Sequence, residues 1–382
     1  MKKWIALLLT AALLTSLTAC SGDPAANAEP ESRTAADQPA DAAQPTENTP
    51  VTLNVGLLGN SVKPVGVLVA NALGYFDEEG VTVHFEKVSS MNDAYTAVST
   101  GDLDVYLFSS TAAATFISQG VTTLRVFGGT AGEGGEIMSA AGRGITLDSA
   151  EDFKGLTIAC QMPETSQMVL KDYLLKQGLT IGEPGAGADV CFVYVNDGNT
   201  AVTGCVNREY DLCITNSCLG YYASDFGAER IGTVSDFVKP YPCCRQTCNS
   251  DTYANKFDAL VKFETAAMRG YAYAQENAEE TLDILEEYSG EDRDFLRAQV
   301  YGTDSYTPDM RLSLDPDKDA CIAFYQAMEN IGQITPVTEI DWSEYVVSDV
   351  YGNALEVLSE REPDNALWHE LSDYFTEHNQ SS

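Results

Sequence analysis

The sequence predicts an α/β protein of two similar lobes, each a parallel sheet with helices on its faces. Three observations lead there. Strand-like apolar runs alternate with helix-like segments. The alternation comes in two sets, one starting at Val51 and one near Phe153. A strand–turn–helix unit also recurs: Asp104–Gly120 reads DVYLFSSTAAATFISQG and Asp211–Gly227 reads DLCITNSCLGYYASDFG. Both copies start with Asp and run through a short apolar strand. Both then turn at a polar pair, Ser109-Ser110 or Asn216-Ser217, and end a helix of equal length at Gly.

In the first set, Val51–Leu58 reads as a strand, followed by the loop Gly59-Asn60-Ser61. An apolar helix is expected from about Pro64 to Leu73, stopped by Gly74. Val81, Val83 and Phe85 alternate with Thr82, His84 and Glu86, which marks the second strand. A helix over Asn92–Thr100 stops at Gly101, and Asp104–Phe108 is the third strand. Ser109 or Ser110 caps the next helix, and Leu124–Phe127 is the fourth strand.

The second set has strands at Leu156–Ala159, Val190–Val195 and Leu212–Thr215. Helices are expected over Ser166–Gln177 and Asn199–Arg208. From about Tyr253 the pattern is helical, with Ala266, Ala267, Gly270, Tyr271 and Ala274 at helical spacing. Further helices are expected near Ala278–Tyr288, Asp292–Val300, Lys318–Ile331 and Tyr345–Leu358. With no strands of their own, they are expected to cover the first lobe.

The beginning of the chain is of a different kind. Lys2 and Lys3 precede an apolar run from Trp4 to Leu17. That run is shorter than the roughly 20 residues a membrane-spanning helix needs, so it reads as an export signal. It ends in Leu17-Thr18-Ala19-Cys20, which resembles the bacterial lipobox. The resemblance implies cleavage before Cys20, a lipid on its sulfur and an extracytoplasmic protein held at the membrane. Residues 21–50 contain no Val, Ile, Leu, Met or aromatic residue and carry five prolines. Such a segment buries too little apolar surface to fold and reads as a tether.

The net charge of −35 disfavours nucleic acid as a partner and points to a soluble monomer. Of ten cysteines, nine remain beyond Cys20. The odd number leaves at least one unpaired within the chain, and disulfides and free thiols both stay open.

Three segments, in order, resemble the nitrate, sulfonate, taurine and thiamine-pyrimidine (NMT1-like) binding proteins of ABC importers. They are LGYFDEEGVTV at Leu73–Val83, AVSTGDLDV at Ala97–Val105 and LDSAEDFKGLTI at Leu147–Ile158. The resemblance implies a type II periplasmic-binding-protein fold, with two Rossmann-like lobes joined by crossovers near Gly128–Ser139 and Phe237–Cys248. It implies residues 1–19 as signal, 20–50 as tether, 51–138 with 249–382 as lobe 1, and 139–248 as lobe 2. The expected function is capture of a small sulfonate-, taurine- or nitrate-type solute by hinge closure, and delivery to a permease and, through it, an ATPase. A thiamine-precursor pyrimidine is the alternative ligand.

In such proteins the cleft is lined by loops after strands. Here those loops offer Asn60, Ser61, Ser90, Met91, Ser109, Ser110, Thr130, Glu164, Thr165, Ser166, Asn196, Asn216 and Ser217, with Tyr241 to stack on a ring. Helix N-termini at Ser110, Ser166 and Ser217 suit an anion, as do Lys63 and Arg245. Glu133, Glu164 and Asp197 suit an amine instead.

Pro242-Cys243-Cys244-Arg245-Gln246-Thr247-Cys248 resembles the triple-cysteine motif of the fungal thiamine-pyrimidine synthase, but Arg245 stands where a third cysteine is expected. No metal, no cofactor and no catalytic residue is expected: the three histidines lie away from every cysteine, and no nucleophile–base–carboxylate set stands out. A synthase-like enzyme is the less favoured reading.

Overall fold

A computed structural model describes residues 51–216 and 218–381. The expectations for the leader, Cys20 and the tether, and the one for Ser217, lie outside the described residues. In chain order the strands are β1 (Val51–Leu58), β2 (Val81–Val88), β3 (Val105–Tyr106), β4 (Leu124–Gly132), β5 (Glu136–Ala140), β6 (Thr157–Gln161), β7 (Ile181–Gly182), β8 (Val190–Val195), β9 (Leu212–Thr215), β10 (Ala228–Thr233), β11 (Pro242–Asn249) and β12 (Arg311–Leu312). The helices are α1 (Val65–Leu73), α2 (Tyr75–Glu78), α3 (Met91–Thr100), α4 (Ser110–Ser118), α5 (Thr165–Lys176), α6 (Gly198–Val206), α7 (Ser250–Asn255), α8 (Phe257–Glu276), α9 (Ala278–Ser289), α10 (Arg293–Val300), α11 (Lys318–Asn330), α12 (Asp349–Arg361) and α13 (Ala366–His378).

The strands form two six-stranded sheets, β12-β4-β11-β3-β1-β2 and β10-β5-β9-β6-β8-β7. Within the first, β1 is parallel to β2 and β3, and β11 is antiparallel to β3 and β4. Within the second, β6 is parallel to β8 and β9, and β5 is antiparallel to β9 and β10. Leaving out β12 and β7, which extend opposite edges, the orders β4-β11-β3-β1-β2 and β10-β5-β9-β6-β8 correspond, and the repeated unit sits third in each, as β3–α4 and as β9 with the turn after it. The chain passes between sheets at Glu133–Gly135 and again between β10 and β11.

Local chemistry accounts for the regular elements. Leu53, Val55 and Leu57 of β1 are buried on one face and Gly56 on the other, as in a sheet covered on both sides. Gly74 ends α1 with φ 78°, a left-handed conformation that costs glycine little. Ser90 starts α3 by accepting a hydrogen bond from the Asp93 N–H at 3.3 Å.

Several expectations are corrected. The third strand is two residues long. The segment after Asn216 forms a 3₁₀ helix, Leu219–Phe226, entered through Cys218 at φ 62°, instead of an α-helix. The C-terminal region is not strandless, because β12 pairs with β4. The helix expected from Tyr345 starts at Asp349. Before it, the Val126 N–H donates to the Tyr345 carbonyl and the Val347 N–H donates to the Val126 carbonyl, both at 2.8 Å, which holds that stretch extended along β4. β10 and α13 carried no expectation.

Charge is buried beside β11. Arg245 and Asp317 have no solvent exposure and pair at 2.8 Å, and Arg311 joins Asp317 to Glu133. All nine described cysteines are free thiols. Among the described residues, no helix is long and apolar enough to cross a membrane, and no group of three or more His, Cys, Asp or Glu is placed to hold a metal ion.

Candidate ligand site

A cavity of about 330 Å³ lies between the two sheets, at the carboxyl ends of their parallel strands. The first sheet lines it with Leu58 at the end of β1, Ser61 and Lys63 after it, Met91 of α3, and Phe108, Ser109 and Thr111 after β3. Cys243 and Cys244 of β11 complete that side, and Pro163, Glu164 and Thr165 face them from the second sheet. The Thr111 and Thr165 hydroxyls are 3.3 Å apart, a direct hydrogen bond between the two sides.

Three helices start at this cavity, α3 at Met91, α4 at Ser110 and α5 at Thr165. Their first N–H groups and dipoles favour negative charge. Ser109 makes the turn into α4 at φ 60°, with its hydroxyl accepting from the Ala112 N–H at 3.1 Å. The buried Tyr95 hydroxyl holds this strained turn from below, donating to the Phe108 and Ser109 carbonyls at 2.9 Å.

The charged groups are few. Lys63 Nζ donates to Cys243 Sγ at 3.5 Å, and Cys243 and Cys244 sulfurs are 3.6 Å apart. Burial works against the Lys63 charge, but Cys243, Cys244 and Glu164 overcome it and hold the ammonium above its ordinary range. The contact with Cys243 and the nearby Lys63 ammonium bring the Cys244 thiol below its ordinary range against the effect of burial. Burial raises Glu164 to about 7, with Lys63 opposing the shift. Asn216 Nδ2 donates to Glu164, and Ser166 Oγ donates to Asn216 Oδ1 at 2.9 Å.

A raised carboxyl contributes stability fully below its unfolded-state value of 4.5, and that contribution is lost as pH rises through about 7. Wild type is therefore expected to lose more stability than Glu164→Gln between about pH 5 and about pH 8, read from urea midpoints. Equal losses would contradict this.

The structure brings Ser61, Met91, Ser109, Glu164 and Thr165 to the cavity. Ser90, Ser166 and Asn216 stand behind them as cap and supports. Asn60 is exposed, donates to the Ser289 carbonyl at 3.2 Å and accepts from Lys87, outside the lining. Ser110 donates to the Tyr325 hydroxyl at 3.1 Å and Thr130 to the Leu107 carbonyl at 3.2 Å, both inside the core. Asn196 is exposed and away from the lining. Tyr241 accepts from the Gly135 N–H at 3.0 Å and lines a separate cavity of about 170 Å³ between α5 and α11. Thr111 was not singled out from sequence, and Cys243 and Cys244 were expected only on a crossover strand near the cleft, not among the lining residues. The signal for the thiols was a cysteine pair on the strand that follows the second passage between the sheets.

Several solved structures share this architecture. The periplasmic nitrate-binding protein NrtA from Synechocystis PCC 6803 superposes with a TM-score of 0.62 at 15% identity, covering 81% of this chain and 89% of that one. The periplasmic aliphatic sulphonate binding protein SsuA from Escherichia coli gives 0.60 at 14% identity, covering 80% and 100%. A ligand-binding component of an ABC-type import system from Staphylococcus aureus gives 0.56 at 15% identity, covering 80% and 99%. At such identities the likeness is one of fold, that of the periplasmic binding proteins. No curated protein matches by sequence. Residues 62–281, more than half of the chain, match the NMT1/THI5-like family, and the chain belongs to that family.

Proposed function

We propose that this protein is the extracytoplasmic solute-binding component of an ABC importer. It takes a small molecule between two lobes, each built on one of the sheets, and presents the closed form to a permease coupled to an ATPase. The observation that carries this reading is a cavity lined from both sheets, so that one solute touches both at once and stabilises their approach. Glu133–Gly135 and the stretch between β10 and β11 serve as the hinge. Monomeric behaviour and a lipid on Cys20 belong to the same reading.

For the ligand, three helix N-termini and Lys63 favour a small anion such as a sulfonate or nitrate. The names of NrtA and SsuA support that class. Glu164 and the Phe108 ring favour a second reading, an amine-bearing ring such as a thiamine-precursor pyrimidine. Thermal unfolding of the purified full-length protein against nitrate, methanesulfonate, taurine and hydroxymethylpyrimidine decides between them. A solute at 100-fold excess over its dissociation constant adds about 2.7 kcal/mol to stability and raises the midpoint. A shift with the anions supports the first reading, and a shift with the pyrimidine alone supports the second. No shift with any of them would overturn both.

A further inference from the structure

Neighbouring residues of a strand point to opposite faces, yet Cys243 and Cys244 both line the cavity. The pairing of β11 with β4 is irregular on either side of Cys244, which turns both sulfurs the same way. They lie 3.6 Å apart. Lys63 Nζ lies 3.5 Å from Cys243 Sγ. A fixed ammonium against the pair disfavours a bound metal cation and favours a nucleophilic thiolate. Cys205 and Cys213 are also close to each other, but both are fully buried in the core of the second sheet, away from the cavity.

We propose that Cys243 and Cys244 form a redox couple inside the ligand cavity, and that oxidising them to a disulfide opens Lys63 as an anion site. This rests on the solute-capture reading, since it concerns the same cavity. The oxidant is a low-molecular-weight disulfide, RSSR. The thiolate of the pair attacks one of its sulfurs, a mixed disulfide forms and RS⁻ leaves. The other cysteine then gives up its proton, its sulfur attacks the first cysteine's Sγ and the second RS⁻ leaves. The two thiols lose two electrons and two protons, and RSSR becomes two RSH. Adjacent Cα atoms are only about 3.8 Å apart, closer than most disulfides span, so the bond is easily reduced and the change is reversible.

Charge links this couple to the ligand. In the dithiol form the thiolate neutralises Lys63, and an arriving anion meets an ammonium that is already paired. In the disulfide form neither sulfur ionises, and Lys63 faces the cavity beside Ser61 and the start of α4. Glu164, the other acid at the cavity, acts on Lys63 in both forms and stays bonded to Asn216, so it does not distinguish them.

The test uses the full-length protein, oxidised with glutathione disulfide or reduced with dithiothreitol, with the reagent then removed. Peptide mapping locates any new bond, and nitrate and methanesulfonate are titrated by calorimetry. A Cys243–Cys244 bond is expected, with anion binding about tenfold tighter in the oxidised form. The double variant Cys243→Ser, Cys244→Ser is expected to bind with the oxidised affinity under both conditions. A bond only at Cys205–Cys213, glutathione retained on Cys243 or Cys244, or equal affinities in the two forms would each overturn the proposal. If no anion binds in either form while another solute of the panel does, the redox inference falls and solute capture stands. If nothing binds at all, the capture reading falls with it.

Discussion

Replacing Asp317 with alanine is expected to destabilise the fold by about 3–5 kcal/mol, because it leaves a buried guanidinium unpaired. Arg245 has no exposure and spends its other donors on backbone: Nε on the Pro316 carbonyl at 3.0 Å, and Nη1 on the Ala131 and Cys244 carbonyls at 2.9 and 3.0 Å. Among the described residues, only Asp317 brings a carboxylate into direct contact, at 2.8 Å. Asp317 also takes Arg311 and the Tyr374 hydroxyl, each at 2.6 Å, so its loss loosens β12 and α13 as well. Urea unfolding measures the effect. The double change Arg245→Met, Asp317→Leu removes both charges and is expected to cost less than Asp317→Ala alone. A loss under about 1 kcal/mol for the single variant would mean that water reaches Arg245.

The second large effect is expected at Gly135, on the first passage between the sheets. A Cβ there would stand 2.3 Å from Ser166 Cβ and 2.9 Å from the Tyr241 hydroxyl. Both neighbours are fixed. Ser166 is held by Asn216 in the first turn of α5, and the Tyr241 hydroxyl accepts from the Gly135 N–H itself. Gly135→Ala must therefore push α5, and with it Glu164 and Thr165, away from the first sheet. The cost in stability is expected at about 1–3 kcal/mol. Solute affinity is expected to fall more than tenfold, since a shift of the lining by an ångström breaks contacts on both sides. Unchanged affinity would show that the two sides of the cavity need not approach this closely.

The elements legible in the sequence were those with both a period and a stop, such as β2 with its strict alternation, or α1 and α3 with glycine after the last turn. What escaped was decided at a distance. β12 and the extended stretch at Tyr345–Val347 exist because β4 offers them backbone groups, which no local pattern records. The cleft shows the same division. Ser109 and Thr165 stand at helix starts that follow strands, and that position alone points to the cavity. Asn60 has the same local setting, but Ser289 and Lys87 take up its side chain. Thr130 and Ser110 turn inward to Leu107 and Tyr325. The thiols of Cys243 and Cys244 reach the cavity only through irregular pairing of β11, which depends on its partner strand.

Hydrogen–deuterium exchange with and without the solute that most raises the unfolding midpoint tests capture between the sheets most directly. Protection is expected together in the loops at residues 59–63 and 108–112 on one side and 163–167 on the other. Protection confined to one side, or found only around Tyr241 and α11, would contradict it.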